Sequence, residues 1–134
     1  MNTNTQRLFY STACPTIVNR AGWGARPPRG TPAALPRPVP TVIIHHGGTQ
    51  SFCTNQTRCA ELVRAYQNHH MDTNGWLDIG YHFVVGEDGR VYEGRGWTRQ
   101  GAHAGGCNAR SIGIAFIGDF TSKSICTVYQ HDTY

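Results

Sequence analysis

The stretch TVIIHH, Thr41–His46, with Gly47 and Gly48 behind it, decides the fold. Val42, Ile43 and Ile44 form an apolar, β-branched run closed off by Pro40 and the two glycines, which predicts a strand. Three apolar residues in a row, rather than alternation, predict a sheet covered on both faces. The strand ends in two histidines. Adjacent strand residues point to opposite faces, so at most one of His45 and His46 faces a given site.

Further along the chain, Asn55–Asp72 predicts a helix. Cys59, Leu62, Val63, Tyr66 and His70 recur every three or four residues and make one stripe, leaving Glu61, Arg64 and Gln67 to face water. Thr54, Asn55 and Thr57 suit an N-cap, and Asn74–Gly75 a stop. Tyr81–Val85 and Arg90–Glu93 predict a hairpin around Asp88–Gly89. Ser111–Gly118 predicts a further strand with Ile112, Ile114 and Phe116 on one face. Gly113 and Ala115 leave its other face shallow, as a close-packed neighbour requires. The order β, α, β-hairpin, β gives an α/β class: a mixed central β-sheet with helix packed against it. A lone helix covers one face, so the other is expected bare unless the tail or a partner covers it.

Toward the N-terminus, Cys14–Arg29 reads as an irregular docking segment anchored by Val18, Trp23 and Ala25. Pro32, Pro36, Pro38 and Pro40 forbid helix and central strand, so Gly30–Pro40 is expected to run extended over the surface. Residues 1–13 are expected to be disordered, 14–120 to form one domain, and 121–134 to be a divergent tail.

Composition narrows the function classes. The 134 residues, 39% hydrophobic, suffice for one core. No apolar run approaches the roughly 18 residues of a membrane span. The net charge of +4 comes from bases scattered singly, eleven Arg and only Lys123, so no nucleic-acid-binding arm is present. Five cysteines include no CxxC, which argues against zinc-finger and thioredoxin readings. Cys53 and Cys59 bracket a short loop; a local disulfide and two buried thiols both fit that spacing. Leu8–Tyr10 is too short for the ~7–15-residue apolar core of a signal peptide.

Seven histidines raise metal chemistry, but there is no HExxH, and each histidine taken singly fits a structural or surface role. Convergence is the stronger argument. His45 ends one strand, Tyr81 starts another, and His103 sits in the GAHAGG loop before a third; strand ends and adjoining loops are where sheets build sites. His70 continues the helical stripe to its buried or cleft-facing end. Trp76 follows the helix stop, where a cleft rim and core packing both fit it, whereas Tyr92 reads as core. Arg95, between Gly94 and Gly96, is either a carboxylate fork or an exposed turn residue.

Together the motifs CPTIVNRAGWGARPPR, VIIHH, the Cys53–Cys59 loop, GWLDIGYHFVVGEDGRVYEGRGW, GAHAGG and NARSIGIAFIGDF, in this order, resemble the peptidoglycan recognition proteins. These share a fold with zinc amidases that cleave N-acetylmuramoyl-L-alanine, phage lysozymes of that type among them. The resemblance covers about residues 14–120.

It implies a mixed sheet with helices on its faces and a groove for the glycan and stem peptide of bacterial peptidoglycan. His45 matches the first ligand of the family's Zn2+, and Tyr81 the tyrosine that assists catalysis. In the amidases zinc-bound water attacks the amide, with the position of Tyr81 stabilising the oxyanion. His70, His103 and Asn108 match groove residues that contact muropeptide. Gly75–Trp76 and Arg95 match positions that accompany diaminopimelate-type stem peptides. Cys53 and Cys59 match the family's disulfide, and family members are secreted proteins of innate immunity. The second zinc His and the ligand Cys of the family lie in a C-terminal helix–strand–helix segment that this sequence does not reach; Cys126 and His131 stand in the reverse order. The expectation is therefore a truncated domain that binds peptidoglycan, with an active amidase and a non-functional product as the alternatives.

Overall fold

The computed structural model describes residues 14–121 and the strand 128–130; Cys126, His131 and the expected disordered segment 1–13 lie outside the described residues. Six strands form one sheet: β1 Ile17–Val18, β2 Thr41–His46, β3 Phe83–Val85, β4 Val91–Glu93, β5 Ser111–Phe116 and β6 Val128–Gln130, in the order β1-β4-β3-β5-β2-β6. The β1–β4, β3–β5 and β5–β2 pairs are parallel; β3–β4 and β2–β6 are antiparallel. This is the mixed sheet expected, and β6 adds a strand from within the tail.

β2 and β5 pair over six residues, from Thr41 opposite Ser111 to His46 opposite Phe116. One row of this register joins His45, Ala115, Val84 and Tyr92 across four strands. Residues in one row point to one face. That face is covered by α1, Gln56–Asn68, whose Cys59, Leu62, Val63 and Tyr66 are buried with Val18, Trp23, Val84 and Tyr92. The Asn55 side chain accepts from the Arg58 N–H and caps the helix, satisfying one of its free amides. Cys59 also closes a disulfide with Cys53.

The structure corrects several expectations. The helix does not run regularly to Asp72: after Asn68 it widens into a π-turn, His69–Thr73. The extra residue per turn lets neighbours His70 and Met71 both point inward. Gln67 does not face water; it is fully buried and bonds Arg26 and Asp78. The first hairpin strand begins at Phe83, because Tyr81 and His82 bond the Arg95 and Gly113 backbones instead of a β4 partner. The last strand stops at Phe116 rather than Gly118.

The opposite sheet face is not bare. The proline-rich segment does run extended, but Leu35 is 4% exposed and packs with Phe83 and Ile112, flanked by Val39, Val42 and Ile114. Two backbone bonds, Leu35 N–H to Thr98 O and Gln100 N–H to Ala33 O, hold it there. Truncating such a buried leucine costs about 2–5 kcal/mol. Leu35→Ala is expected to lower the unfolding free energy by that order in urea titration. A midpoint equal to wild type would show that the segment lies on the sheet without stabilising it.

Candidate functional site

The site lies where β2, the π-turn, the loop before β3 and the loop before β5 meet. β2 delivers His45 on the α1 side of the sheet and His46 on the other, where its Nδ1 accepts from the Phe120 N–H at 3.2 Å. His45 Nε2 lies 2.8 Å from His103 Nδ1. The His103 loop is shaped by Asn108, whose Oδ1 accepts from the His103 and Ala104 amides at 2.8 and 2.9 Å.

The shallow strip predicted on β5 is filled by His103. A Cβ at Gly113 would run into its ring, and so would one at Gly101. His82 closes the other side: its Nδ1 accepts from the Gly113 N–H and its Nε2 donates to Arg99 O, both at 2.9 Å. Both nitrogens are thereby committed to one neutral tautomer.

From His45 the wall continues through Tyr81, with ring centres 5.5 Å apart, to His70 at 5.3 Å and Trp76 at 4.7 Å. His70 is seated by the Gly80 N–H, which donates to its Nδ1 at 3.0 Å. Its neutral ring therefore keeps an Nε2–H donor. Gly75 is needed for its backbone: φ is +69°, and the Trp76 N–H turns back to His70 O. The structure thus brings His45, His70, Trp76, Tyr81 and His103 into one continuous aromatic wall.

Arg95 sits beside this wall as a partly buried, oriented guanidinium. Its Nε and Nη1 donate to Ile79 O and Gln100 O, both at 2.7 Å, and Nη2 to Asp78 O at 3.4 Å. Two of its five N–H groups remain for a ligand. Beneath it Asp78 accepts from Gln67, the Ile79 N–H and Arg20, and pairs with Arg20 at 3.0 Å. Arg20, Arg95, Arg99 and Asp78 line a cavity of about 220 Å³ with Gly30–Pro32.

Burial dominates the electrostatics. It lowers His70, His82 and His103 to about 4, helped for His70 by His69, for His103 by His45 and for all three by the Arg95 charge. Burial, with neighbouring His46, also lowers His45, and burial raises Tyr81. At neutral pH the wall is therefore uncharged, and the Tyr81 phenol keeps its proton. The zinc of the family it resembles would meet an incomplete donor set: among the described residues no three His, Cys, Asp or Glu converge. A catalytic zinc needs several protein ligands beside an open water position, and the described residues do not fit that ion.

Sequence reasoning missed His82, Ser111, Asp78 and Arg20 as site-building residues. His82 follows Tyr81 in GYHF and Ser111 lies only four and eight residues from its partners Cys107 and His103, which are local signals; Arg20 and Asp78 are 58 residues apart, too far to read from spacing.

The histidines predict an acid sensitivity. Above pH 6.5 they are neutral in folded and unfolded chains alike. Between 6.5 and about 4 the unfolded chain takes up protons that the folded chain refuses, so stability falls as pH falls. The melting temperature is expected to drop through this window, before the carboxylates titrate. A flat profile from pH 6.5 to 4 would contradict the burial of these rings.

The profile of the family described as N-acetylmuramoyl-L-alanine amidase matches residues 35–134. The chain is 50% identical over 110 residues to a human protein of that name, covering 81% of this chain and 19% of that one. It is 48% identical over 115 residues to peptidoglycan-recognition protein 1 of Holotrichia diomphalia, covering 82% and 55%. The chain thus spans from a fifth to just over half of these relatives. Among solved structures, bumblebee PGRP-SA superposes with a TM-score of 0.77 at 46% identity, over 83% of this chain and 65% of that one. Peptidoglycan recognition protein LE, solved with tracheal cytotoxin (a monomeric diaminopimelic acid-type peptidoglycan), gives 0.74 at 43% identity, over 77% and 60%. No helix among the described residues is long and apolar enough to cross a membrane.

Proposed function

Since this chain belongs to the N-acetylmuramoyl-L-alanine amidase family, with peptidoglycan recognition proteins as its structural neighbours, we propose that it binds the muropeptide of bacterial peptidoglycan, diaminopimelate type preferred. The observation that carries this reading is the uncharged wall Trp76–His70–Tyr81–His45–His103 beside the oriented Arg95. An aromatic surface with N–H and O–H donors suits a glycan and a peptide, which offer C–H faces and carbonyl acceptors. The two remaining Arg95 N–H groups suit the carboxylate that distinguishes diaminopimelate from lysine in the stem peptide. Binding to a cognate muropeptide in the LE complex supports the same assignment.

The chain's role is recognition in innate immunity, in an extracellular setting; the Cys53–Cys59 disulfide suits an oxidising compartment. Hydrolysis of the muramoyl–alanine bond requires a zinc set of which the described residues supply His45.

The test is co-sedimentation of the full chain with insoluble diaminopimelate-type and Lys-type peptidoglycan, with zinc present and released stem peptide measured. Binding without release, stronger on the diaminopimelate wall, is expected. Arg95→Lys, which keeps the charge and loses the fork, should erase most of the preference, roughly ten- to a hundredfold if one charge-assisted bond pair is lost. Folded protein that binds neither wall would overturn the proposal, and released stem peptide would restore the amidase reading.

A further inference from the structure

The loop between β2 and α1 ends in a motif that the aromatic wall does not use. Asn55-Gln56-Thr57 is the only Asn-X-Ser/Thr run in the sequence, and X is not Pro. That pattern is the acceptor of N-linked glycosylation, which falls on exposed segments of proteins in the secretory pathway. Its placement here makes it more than a chance run, since all three residues are exposed.

The two ends of the Asn55 amide have different tasks. Oδ1 accepts from the Arg58 N–H at 3.0 Å and caps α1. Nδ2, the atom that takes a glycan, has no hydrogen-bond partner among the described residues. An amide that carries a sugar on its nitrogen keeps its carbonyl oxygen, so the cap survives the modification.

The surroundings suit a sugar. Phe52 is 70% exposed and, with Thr54, Asn55 and Arg58, lines an open cavity of about 450 Å³. An uncovered phenyl ring is unfavourable in water, and the C–H faces of a sugar can cover it. The Cys53–Cys59 disulfide brackets the motif, and such a bond forms in an oxidising compartment, as the secretory pathway is. The 13 residues of α1 span about 20 Å, so a glycan at the helix start leaves the wall beyond its other end open.

We propose that Asn55 is the acceptor of an N-linked glycan whose first sugars lie over Phe52. The donor is a lipid-pyrophosphate-linked oligosaccharide. The bond from its anomeric carbon to the pyrophosphate oxygen breaks, and a carbon–nitrogen bond to Asn55 Nδ2 forms. Nδ2 gives one proton to solvent, and the pyrophosphate leaves with the lipid. Of the proposed function, only the extracellular setting enters here.

The experiment is expression of the full chain behind a cleavable secretion leader in mammalian cells. Cells and medium are both analysed, because transfer precedes folding and a misfolded chain reports it equally. Peptide N-glycosidase in heavy-oxygen water should speed migration on a denaturing gel and leave a labelled aspartate in place of Asn55. Asn55→Gln and Thr57→Ala should each abolish the shift, and Thr57→Ser should keep it. Unmodified wild-type Asn55 overturns the inference. The Cys53–Cys59 bond, mapped in the same digest, then separates the readings: a formed bond leaves the extracellular setting standing, and a reduced one counts against both. Removing the glycan from folded protein should lower the melting temperature of wild type more than that of Phe52→Ala; equal changes overturn the placement over Phe52. Co-sedimentation with diaminopimelate-type peptidoglycan should be the same before and after removal, and its absence in both forms counts against the function alone.

Discussion

Six consecutive parallel pairs between β2 and β5 set the geometry on which the rest of the molecule depends. They bring Gly113 opposite Ile43 and Ala115 opposite His45, so the strand beside His45 carries no bulk on the α1 face. The space is taken by the rings of His103 and His82, each tied to the backbone or to another side chain. Two larger residues at 113 and 115 would leave no room for this arrangement. The wall from His45 to Trp76 then follows, because Tyr81 precedes β3 and His70 ends the helix packed on the same face.

A second constraint is polar. Asp78 is buried, and removing one partner of a buried ion pair typically costs about 3–5 kcal/mol. Its partners come from the N-terminal segment through Arg20, from α1 through Gln67, and from its own loop through Ile79 N–H. The exposed Arg58–Glu61 pair contributes only about 0.3–0.5 kcal/mol by comparison. The loop that carries Tyr81 and receives Arg95 is therefore held by a hub spanning three parts of the chain. The docking segment before β2 is part of the site's foundation rather than an appendage.

Much of the fold was legible locally. β2 follows from its β-branched run, the α1 stripe from periodicity, the hairpin from Asp88–Gly89, and the anchors Val18 and Trp23 from isolated apolar residues in a polar segment. Gln67 was misread because its polarity suggested water, whereas Arg26 and Asp78, distant in sequence, satisfy its amide inside the protein. The π-turn escaped because α-periodicity continues smoothly into it. Leu35 was obscured by its prolines, which correctly predicted an extended path but not which side of it would be buried. The ordered motifs pointed to the family, and the matching family profile and superposed structures agree.

By itself the sequence determined the element types and most of the residues that line the wall, because backbone propensity and short spacings act within a few residues; its ordered motifs carried the resemblance to the family. Tertiary structure alone decided how those residues are used. It turned Asn108 to hold a loop, directed three Arg95 donors onto carbonyls, and set His45 against His103. Whether a polar group such as Gln67 or Asp78 is buried depends on partners tens of residues away. Strand register fixes those partners; composition and spacing do not.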